Sequence, residues 1–249
     1  MNSFMKWVGG KYLLRKRILE EFPQEISSYV EVFGGAAWVM FARQEYHGME
    51  VYNDINHDLV NLFRCVKYHA GELQKELQWC LISREEFLKA KDEVHSPDLT
   101  DIQRAARFFV LVRCSFGAKM DTFNGKRVSL GNVVKDMEIF SERLRATVIE
   151  QLDFEKLIPL YDTTETLFYA DPPYYDAERY YTTEFQQADH LRLRESLGKV
   201  EGKFILTYND CPYIRQLYEN YHIIPLERQN NMTSCSTKKC YQEIIIKNF

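Results

Sequence analysis

The stretch that most constrains the fold is a short apolar run closed by two consecutive prolines. Residues 167–170, LFYA, precede Asp171-Pro172-Pro173-Tyr174. A short apolar run of this kind predicts a strand buried in a parallel sheet. Because proline lacks a backbone N–H and continues neither a strand nor a helix, the hydrogen-bond ladder ends there. We therefore predict a stiff loop at the carboxyl end of a buried strand, where open α/β sheets bind their ligands.

The groups in this loop indicate a chemistry. Asp171 brings an acceptor carboxylate, Pro172 a carbonyl of fixed direction and Tyr174 an aromatic face, while Pro173 keeps the loop extended. Together they suit a planar ring with an exocyclic amine, which needs two acceptors for its N–H bonds and a ring on which to stack. We take all four as candidate catalytic residues. The alternative is an ordinary turn in which Asp171 caps a neighbouring element.

A strand, a glycine-bearing turn and a helix follow one another near the start of the chain. The strand covers residues 29–33, the turn is Gly34-Gly35-Ala36-Ala37, and the helix covers residues 38–46. This order is the first βα unit of a Rossmann-like fold, although the turn lacks the G-x-G-x-x-G spacing of dinucleotide sites. A second strand, residues 50–53, ends at Asp54. Asp54 is placed to bind ribose hydroxyls, and the alternative is a helix N-cap.

The first dozen residues contain the segment Lys6-Trp7-Val8-Gly9-Gly10-Lys11. An amphipathic stretch over residues 12–22 follows it and predicts a helix that ends before Pro23. The loop amides and Lys11 would then form a seat for an anion or a carboxylate at a helix N-terminus, with Trp7 as a wall of the pocket. The alternative is a plain N-terminal turn.

Between residues 71 and 145 the pattern contains helices only. From Arg104 to Arg145 there are nine basic residues and four acids, a local net charge of +5 in a chain whose net charge is −4. Cations with interleaved aromatic residues suit DNA, with charges for phosphates and other side chains for base edges. The alternative is a solvated surface. The candidate DNA-binding residues here are Arg113, Ser115, Phe116, Lys119, Lys126 and Arg127.

After residue 146 the βα pattern resumes and ends in two strands, residues 221–226 and 240–247, predicted as an antiparallel hairpin. Their long polar connection supplies two further candidate DNA contacts, Asn231 and Lys238, with a solvent loop as the alternative. We predict an α/β, Rossmann-like fold with a mostly parallel sheet and this antiparallel hairpin. The domain that carries the sheet would comprise residues 1–70 and 146–249, and a helical insertion residues 71–145.

Composition restricts the remaining possibilities. The six cysteines include no C-x-x-C pair, and no histidine stands at zinc-ligand spacing beside them, so we predict reduced thiols and no metal. No apolar run reaches membrane-spanning length, and the N-terminus lacks the apolar segment of a signal peptide. We therefore expect a cytoplasmic protein with no membrane partner.

Three elements in fixed order, K-W-x-G-G-K, F-x-G with a downstream D-I-N, and D-P-P-Y, resemble the DNA adenine methylase (Dam) family, particularly its small phage-type members. The resemblance implies transfer of a methyl group from S-adenosylmethionine to the N6 amine of adenine in double-stranded DNA, with the base flipped out of the helix. It also implies a helical target-recognition insertion. The cofactor-binding residues implied are Trp7, Gly10, Lys11, Phe33, Gly35, Asp54, Ile55 and Asp171.

Two departures from the family pattern leave alternatives open. The last glycine of the usual F-x-G-x-G turn is Ala37, and the segment after Gly117 differs from members that methylate GATC. Because alanine tolerates helical φ, we expect cofactor binding to be retained. The alternatives are a cytosine N4 methyltransferase, a catalytically silent DNA-binding protein on the same scaffold, and an RNA methyltransferase.

Overall fold

The protein is built on one seven-stranded sheet with the strand order β3-β2-β1-β4-β5-β7-β6. The computed structural model describes residues 1–43, 48–125, 130–178, 185–229 and 240–249. The strands are β1 (Ser28–Glu31), β2 (Met49–Asn53), β3 (Thr147–Glu150), β4 (Thr166–Ala170), β5 (Lys203–Asn209), β6 (His222–Gln229) and β7 (Cys240–Lys247). The predicted α/β fold with a mostly parallel sheet is confirmed.

The order of the strands fixes where a ligand can bind. Strand β1 pairs in parallel with both β2 and β4. Strands β2 and β3 follow on one side of β1 and strands β4 and β5 on the other, so the strand order reverses between β1 and β4. Ligands of open α/β sheets bind at such a switch point, outside the carboxyl ends of the strands. The double-proline sequence begins immediately after β4, at this edge.

The C-terminal hairpin has the predicted antiparallel pairing and an unpredicted position. Strand β7 pairs antiparallel with both β5 and β6. The last strand in the sequence therefore lies inside the sheet, and β6 forms the edge. The β7 residues Ile244, Ile245 and Ile246 are fully buried.

Eleven α-helices lie among the described residues. They are α1 (Arg15–Glu20), α2 (Trp38–Ala42), α3 (His57–Tyr68), α4 (Ala70–Gln78), α5 (Arg84–Glu93), α6 (Asp101–Cys114), α7 (Gly131–Lys135), α8 (Met137–Leu144), α9 (Phe154–Tyr161), α10 (Gln187–Leu197) and α11 (Pro212–Leu217). Two predicted helices are too long, since the first begins only at Arg15 and α2 ends at Ala42. Helix α9 was not predicted, and it contains Pro159 in its last turn.

The helices of the predicted insertion share their core with one face of the sheet. Phe108, Phe109 and Phe140 belong to the same buried cluster as Tyr29 and Tyr52 of the first two strands. A second cluster covers the opposite face and includes residues of α9, α10 and α11. The boundaries of the two predicted domains stay a prediction.

One buried ion pair ties the helical segment to the sheet. Arg143 of α8 makes two hydrogen bonds to Glu50 of β2, at 2.6 and 2.9 Å, and the two side chains are only 9% and 5% exposed. Arg143 also donates to the Met40 carbonyl, and the Thr147 hydroxyl donates to Glu50. Four separate elements, α2, β2, α8 and β3, therefore meet at this pair.

Within the described part of the chain, no helix combines the length and the apolar character needed to cross a membrane.

Candidate active site

A cavity of about 410 Å³ opens at the carboxyl ends of β1, β2 and β4. Its lining brings together all eight residues predicted to bind the cofactor, from four separate parts of the sequence, together with Pro173. Those eight are Trp7, Gly10, Lys11, Phe33, Gly35, Asp54, Ile55 and Asp171. A cavity of this size is ordinary for a small-molecule site.

The glycine turn after β1 is shaped by its neighbours. A Cβ on Gly34 would lie 2.2 Å from the Tyr52 ring, and one on Gly35, whose φ is +50°, would lie 3.0 Å from Trp7. The Tyr52 hydroxyl also donates to the Gly35 carbonyl at 2.8 Å. Gly34 is therefore required for close packing against an aromatic ring.

Asp54 holds the same turn from the other side. Its carboxylate accepts hydrogen bonds from the backbone N–H of Gly35 at 2.8 Å and of Asn56 at 2.9 Å. Burial raises the pKa of this carboxyl, and these backbone donors oppose the effect. The alternative that Asp54 caps helix α3 is wrong, because Asn56 is the N-cap and accepts from the Leu59 N–H. Asp54 is thus free of a capping role and lines the cavity.

Ala37 takes a backbone conformation that the sequence argument did not anticipate. Its φ is 52° and its ψ is 40°, which is left-handed, and it precedes helix α2 as the N-cap. We expected ordinary helical φ there, and that expectation is wrong. A left-handed conformation costs an L-residue with a Cβ roughly 1–2 kcal/mol, which explains why glycine suits this position.

The carboxylate at the head of the double-proline loop, residues 171–178, forms a buried ion pair. Lys11 Nζ lies 2.7 Å from Asp171 Oδ1, and the two side chains are 4% and 16% exposed. The Thr207 hydroxyl of β5 donates to the same oxygen at 2.8 Å. Burial raises the pKa of Asp171, while the Lys11 ammonium and the Thr207 hydroxyl act in the opposite direction.

The role predicted for Lys11 needs a correction. Helix α1 begins at Arg15, and its N-cap Leu14 makes no side-chain capping bond, so Lys11 does not lie at a helix N-terminus. Its ammonium binds the Asp171 carboxylate and the Gly9 carbonyl, so the carboxylate that it holds is one of this chain's own. The segment with Trp7 nevertheless forms a wall of the cavity, as predicted.

Tyr174 is fixed by a residue that the sequence did not indicate. Its hydroxyl donates to Glu243 of β7 at 2.5 Å, and Lys11 Nζ lies 4.8 Å from the centre of its ring. Pro172 and Pro173 are buried beside it. Pro173 lines the cavity, so the loop borders the predicted cofactor site directly.

Four of the predicted DNA-binding residues lie in one described segment at the end of helix α6. Phe116 is 65% exposed, Lys119 lines the cavity, and burial lowers the pKa of Arg113. Ser115 is buried and donates to the Val112 carbonyl at 3.2 Å, so its hydroxyl is used within the protein. The other four candidates, Lys126, Arg127, Asn231 and Lys238, lie outside the described residues.

The positive charge of the helical segment is smaller than the sequence suggests. Four of its nine basic residues form ion pairs with acids of the same chain. Those pairs are Arg104–Asp101, Arg107–Glu93, Arg143–Glu50 and Arg145–Glu142. Glu142 is already among the four acids counted and Arg145 is still 76% exposed, so only the other three pairs reduce the unpaired positive charge of the segment.

Other cavity residues were missed by the sequence argument. Glu31 ends β1, is 2% exposed, and accepts hydrogen bonds from the Tyr29 hydroxyl and the Met40 N–H. Burial raises the pKa of Glu31 well above the usual range of a carboxyl. Phe154 and Phe185 form an apolar wall. These residues stand outside any recognisable motif, so only the strand end at Glu31 offered a signal.

Among the described residues, no group of three or more histidine, cysteine or acidic side chains is arranged to hold a metal ion. Within that part of the chain, Cys65, Cys80, Cys114 and Cys211 are free thiols.

The strand order, the glycine turn and the acidic residue closing β2 define a Rossmann-like methyltransferase fold. Residues 7–232 match the model of the family described as D12 class N6 adenine-specific DNA methyltransferase. The chain therefore belongs to that family, and the predicted resemblance is confirmed.

Individual relatives agree with the family match. The chain is 28% identical to the type II methyltransferase M.MjaIII of Methanocaldococcus jannaschii, covering 100% of this chain and 99% of that protein. It is 26% identical to the type II methyltransferase M.CviBI of Paramecium bursaria Chlorella virus NC1A, covering 89% and 88%. It is 24% identical to a DNA adenine methylase of Haemophilus influenzae, covering 96% and 90%.

Proposed function

We propose that the protein transfers a methyl group from S-adenosylmethionine to the N6 amine of adenine in duplex DNA. The observation that carries the proposal is the convergence of Lys11, Asp54 and Asp171 on one cavity at the switch point of the sheet. Family membership already implies a DNA substrate and a methyl donor. The identity of the donor and the roles of single residues are the proposed part.

The cavity fits this cofactor by shape and by charge. Gly10 and Gly35 let the backbone pack closely against the two tryptophan rings of the cavity wall, since a Cβ on Gly10 would come within 3.0 Å of Trp38 and one on Gly35 within 3.0 Å of Trp7. The Asp54 carboxylate suits ribose hydroxyls, because its two oxygens keep lone pairs beyond the backbone bonds they accept. When bound, the cofactor supplies a methyl group on a sulfonium, which is already a good leaving group.

The double-proline loop supplies the acceptors that the amine needs. The lone pair of adenine N6 is delocalised into the ring, which makes the amine a weak nucleophile. Hydrogen bonds from N6 to the Asp171 carboxylate and the Pro172 carbonyl hold the amine in one direction, so that alignment contributes much of the rate. Asp171, directly or through a water molecule, takes the proton that N6 releases.

The target base must leave the stack to reach these acceptors. Enzymes that act on a base extrude it into a pocket and stack it on aromatic side chains. Tyr174 is the aromatic side chain next to the acceptors, and its hydroxyl donates to Glu243. We assign Tyr174 the stacking role.

The segment after helix α6 is the proposed contact with DNA. Phe116 exposes an aromatic ring and Lys119 an ammonium within a few residues of Ala118 and Met120, which line the cofactor cavity. A cation for phosphate and a ring for base contact are the groups that such an interface uses. Arg113 would contribute through its position at the root of this segment.

Replacement of Asp171 tests the proposal. Asp171→Asn keeps the size of the side chain and one acceptor oxygen, and we expect methyl transfer to be lost while DNA binding is retained. The measurements are incorporation of tritiated methyl and DNA affinity, with thermal unfolding as a check on the fold. The control is Asp176→Asn, an exposed residue of the same loop, which should leave the rate unchanged.

Three outcomes would contradict the proposal. Full methyl transfer by Asp171→Asn would remove the carboxylate from the reaction. Mass spectrometry of the methylated nucleosides must find N6-methyladenine, and N4-methylcytosine instead would reassign the substrate base. Absence of heat on titration with S-adenosylmethionine would favour a silent DNA-binding protein.

A further inference from the structure

Glu243 is a charged residue in the interior of the sheet. It lies in β7, is 4% exposed, and is followed by the buried run Ile244, Ile245 and Ile246. Its backbone is paired on both sides, opposite Asn209 of β5 and Leu226 of β6. A buried carboxylate is costly unless it is paired and hydrogen-bonded, so its partners indicate why it is there.

The partners of Glu243 belong to the active site. Its Oε2 accepts the hydrogen bond of the Tyr174 hydroxyl at 2.5 Å and lies 3.9 Å from Lys11 Nζ. Lys11 in turn lies 2.7 Å from Asp171 and above the Tyr174 ring. Glu243 thus contacts both the proposed stacking residue and the cation that holds the proposed proton acceptor.

The neighbouring strand fixes the next residue of the loop. Asn209 donates from its side-chain amide to the Tyr175 carbonyl at 3.1 Å and accepts from the Tyr175 N–H at 3.1 Å. Asn209 and Glu243 are opposite each other in the register of β5 and β7. Asn209 therefore fixes the backbone just after Tyr174, while Glu243 fixes the Tyr174 ring itself.

We propose that Glu243 is a positioning residue for methyl transfer, which sets the orientation of the Tyr174 ring on which the flipped base stacks. A tyrosine on a loop rotates about two side-chain bonds, and a short charge-assisted hydrogen bond at the ring's far end removes that freedom. The ring then meets the base in one orientation relative to Asp171. This inference rests on the proposed function, since it presumes a base at that ring.

The test compares kcat and KM among variants of the two residues. Glu243→Leu and Tyr174→Phe each remove the hydrogen bond between Tyr174 and Glu243 and put an apolar side chain of similar size at the changed position. We expect each to lower kcat by about tenfold to a hundredfold. The KM for the cofactor should change little, because Asp54 and the glycine turn are untouched. Glu243→Gln keeps an acceptor oxygen and should restore most of the rate. Gln242→Leu, an exposed neighbour on the same strand, is the control.

The double variant decides between positioning and independent roles. If Glu243 acts through Tyr174, combining Glu243→Leu with Tyr174→Phe should be no worse than either change alone. Multiplied losses, or a normal kcat in Glu243→Leu, would overturn the inference. If Glu243→Leu does not fold, Tyr174→Phe decides by itself, since it removes the same hydrogen bond, and a normal kcat in that variant would overturn the inference equally.

An assay of the wild-type protein distinguishes failure of this inference from failure of the proposed function. If the wild-type protein transfers no methyl group to adenine, the proposed function fails. If it does so and the variants of Glu243 behave normally, only the positioning role fails.

Discussion

Removing Arg143 should destabilise the fold severely. Arg143→Met would remove two guanidinium hydrogen bonds, of 2.6 and 2.9 Å, from the Glu50 carboxylate, which is only 5% exposed. The carboxylate would keep the hydrogen bond from the Thr147 hydroxyl. Leaving one member of a buried pair uncompensated costs about 3–5 kcal/mol. With a urea slope of about 3 kcal/mol per M, the unfolding midpoint would fall by about 1–2 M. Urea denaturation followed by circular dichroism measures this shift.

A second substitution identifies the cause of the loss. Because the destabilisation arises from an unpaired charge, Arg143→Met combined with Glu50→Leu should recover most of the free energy of unfolding. The control is Arg145→Met, which removes an exposed arginine two residues further along and should scarcely move the midpoint. A loss below about 1 kcal/mol in Arg143→Met, or no recovery in the double variant, would refute the reasoning.

Two further predictions concern the cavity. Lys11 lowers the pKa of Asp171 against the effect of burial, so Lys11→Met should raise that pKa. Since the ionised carboxylate is the proposed acceptor, activity is lost as pH falls through the pKa of Asp171, and the acid limb of the plot of kcat against pH should move to higher pH in Lys11→Met. The control is Lys6→Met, which changes an exposed lysine. An acid limb that stays in place in Lys11→Met would contradict the pairing of Lys11 with Asp171. Gly34→Ala should cost about 1–3 kcal/mol in thermal unfolding, because its Cβ would lie 2.2 Å from the Tyr52 ring, and a normal melting temperature would show that the ring can move away.

The fold and the site edge were predictable because they follow from local signals. Two prolines after residues 167–170 end a strand wherever it lies, and a glycine turn between a strand and a helix is a local event. The carboxyl ends of parallel strands lie at one edge of the sheet. Asp54 and Asp171 therefore converge as a consequence of topology, and the sequence needs to specify only where each strand stops.

The features that the sequence did not predict depend on contacts between residues far apart in the chain. Glu50 and Arg143 are 93 positions apart, and Tyr174 and Glu243 are 69 apart, so no periodicity connects them. The left-handed backbone of Ala37 was missed because alanine carries no signal for it. The charge of the helical segment was overestimated because pairs such as Arg107–Glu93 become visible only when two helices pack.

The position of β7 has a consequence for how the protein is made. Lys11, near the start of the chain, and Glu243, near residue 249, meet around the same tyrosine ring. A ribosome must therefore release strand β7 before the two can come together, and until then β5 lacks one neighbour. A nascent chain can complete β1, β2 and β4 earlier, but the hydrogen bond that anchors the tyrosine forms only after residue 243 has left the ribosome.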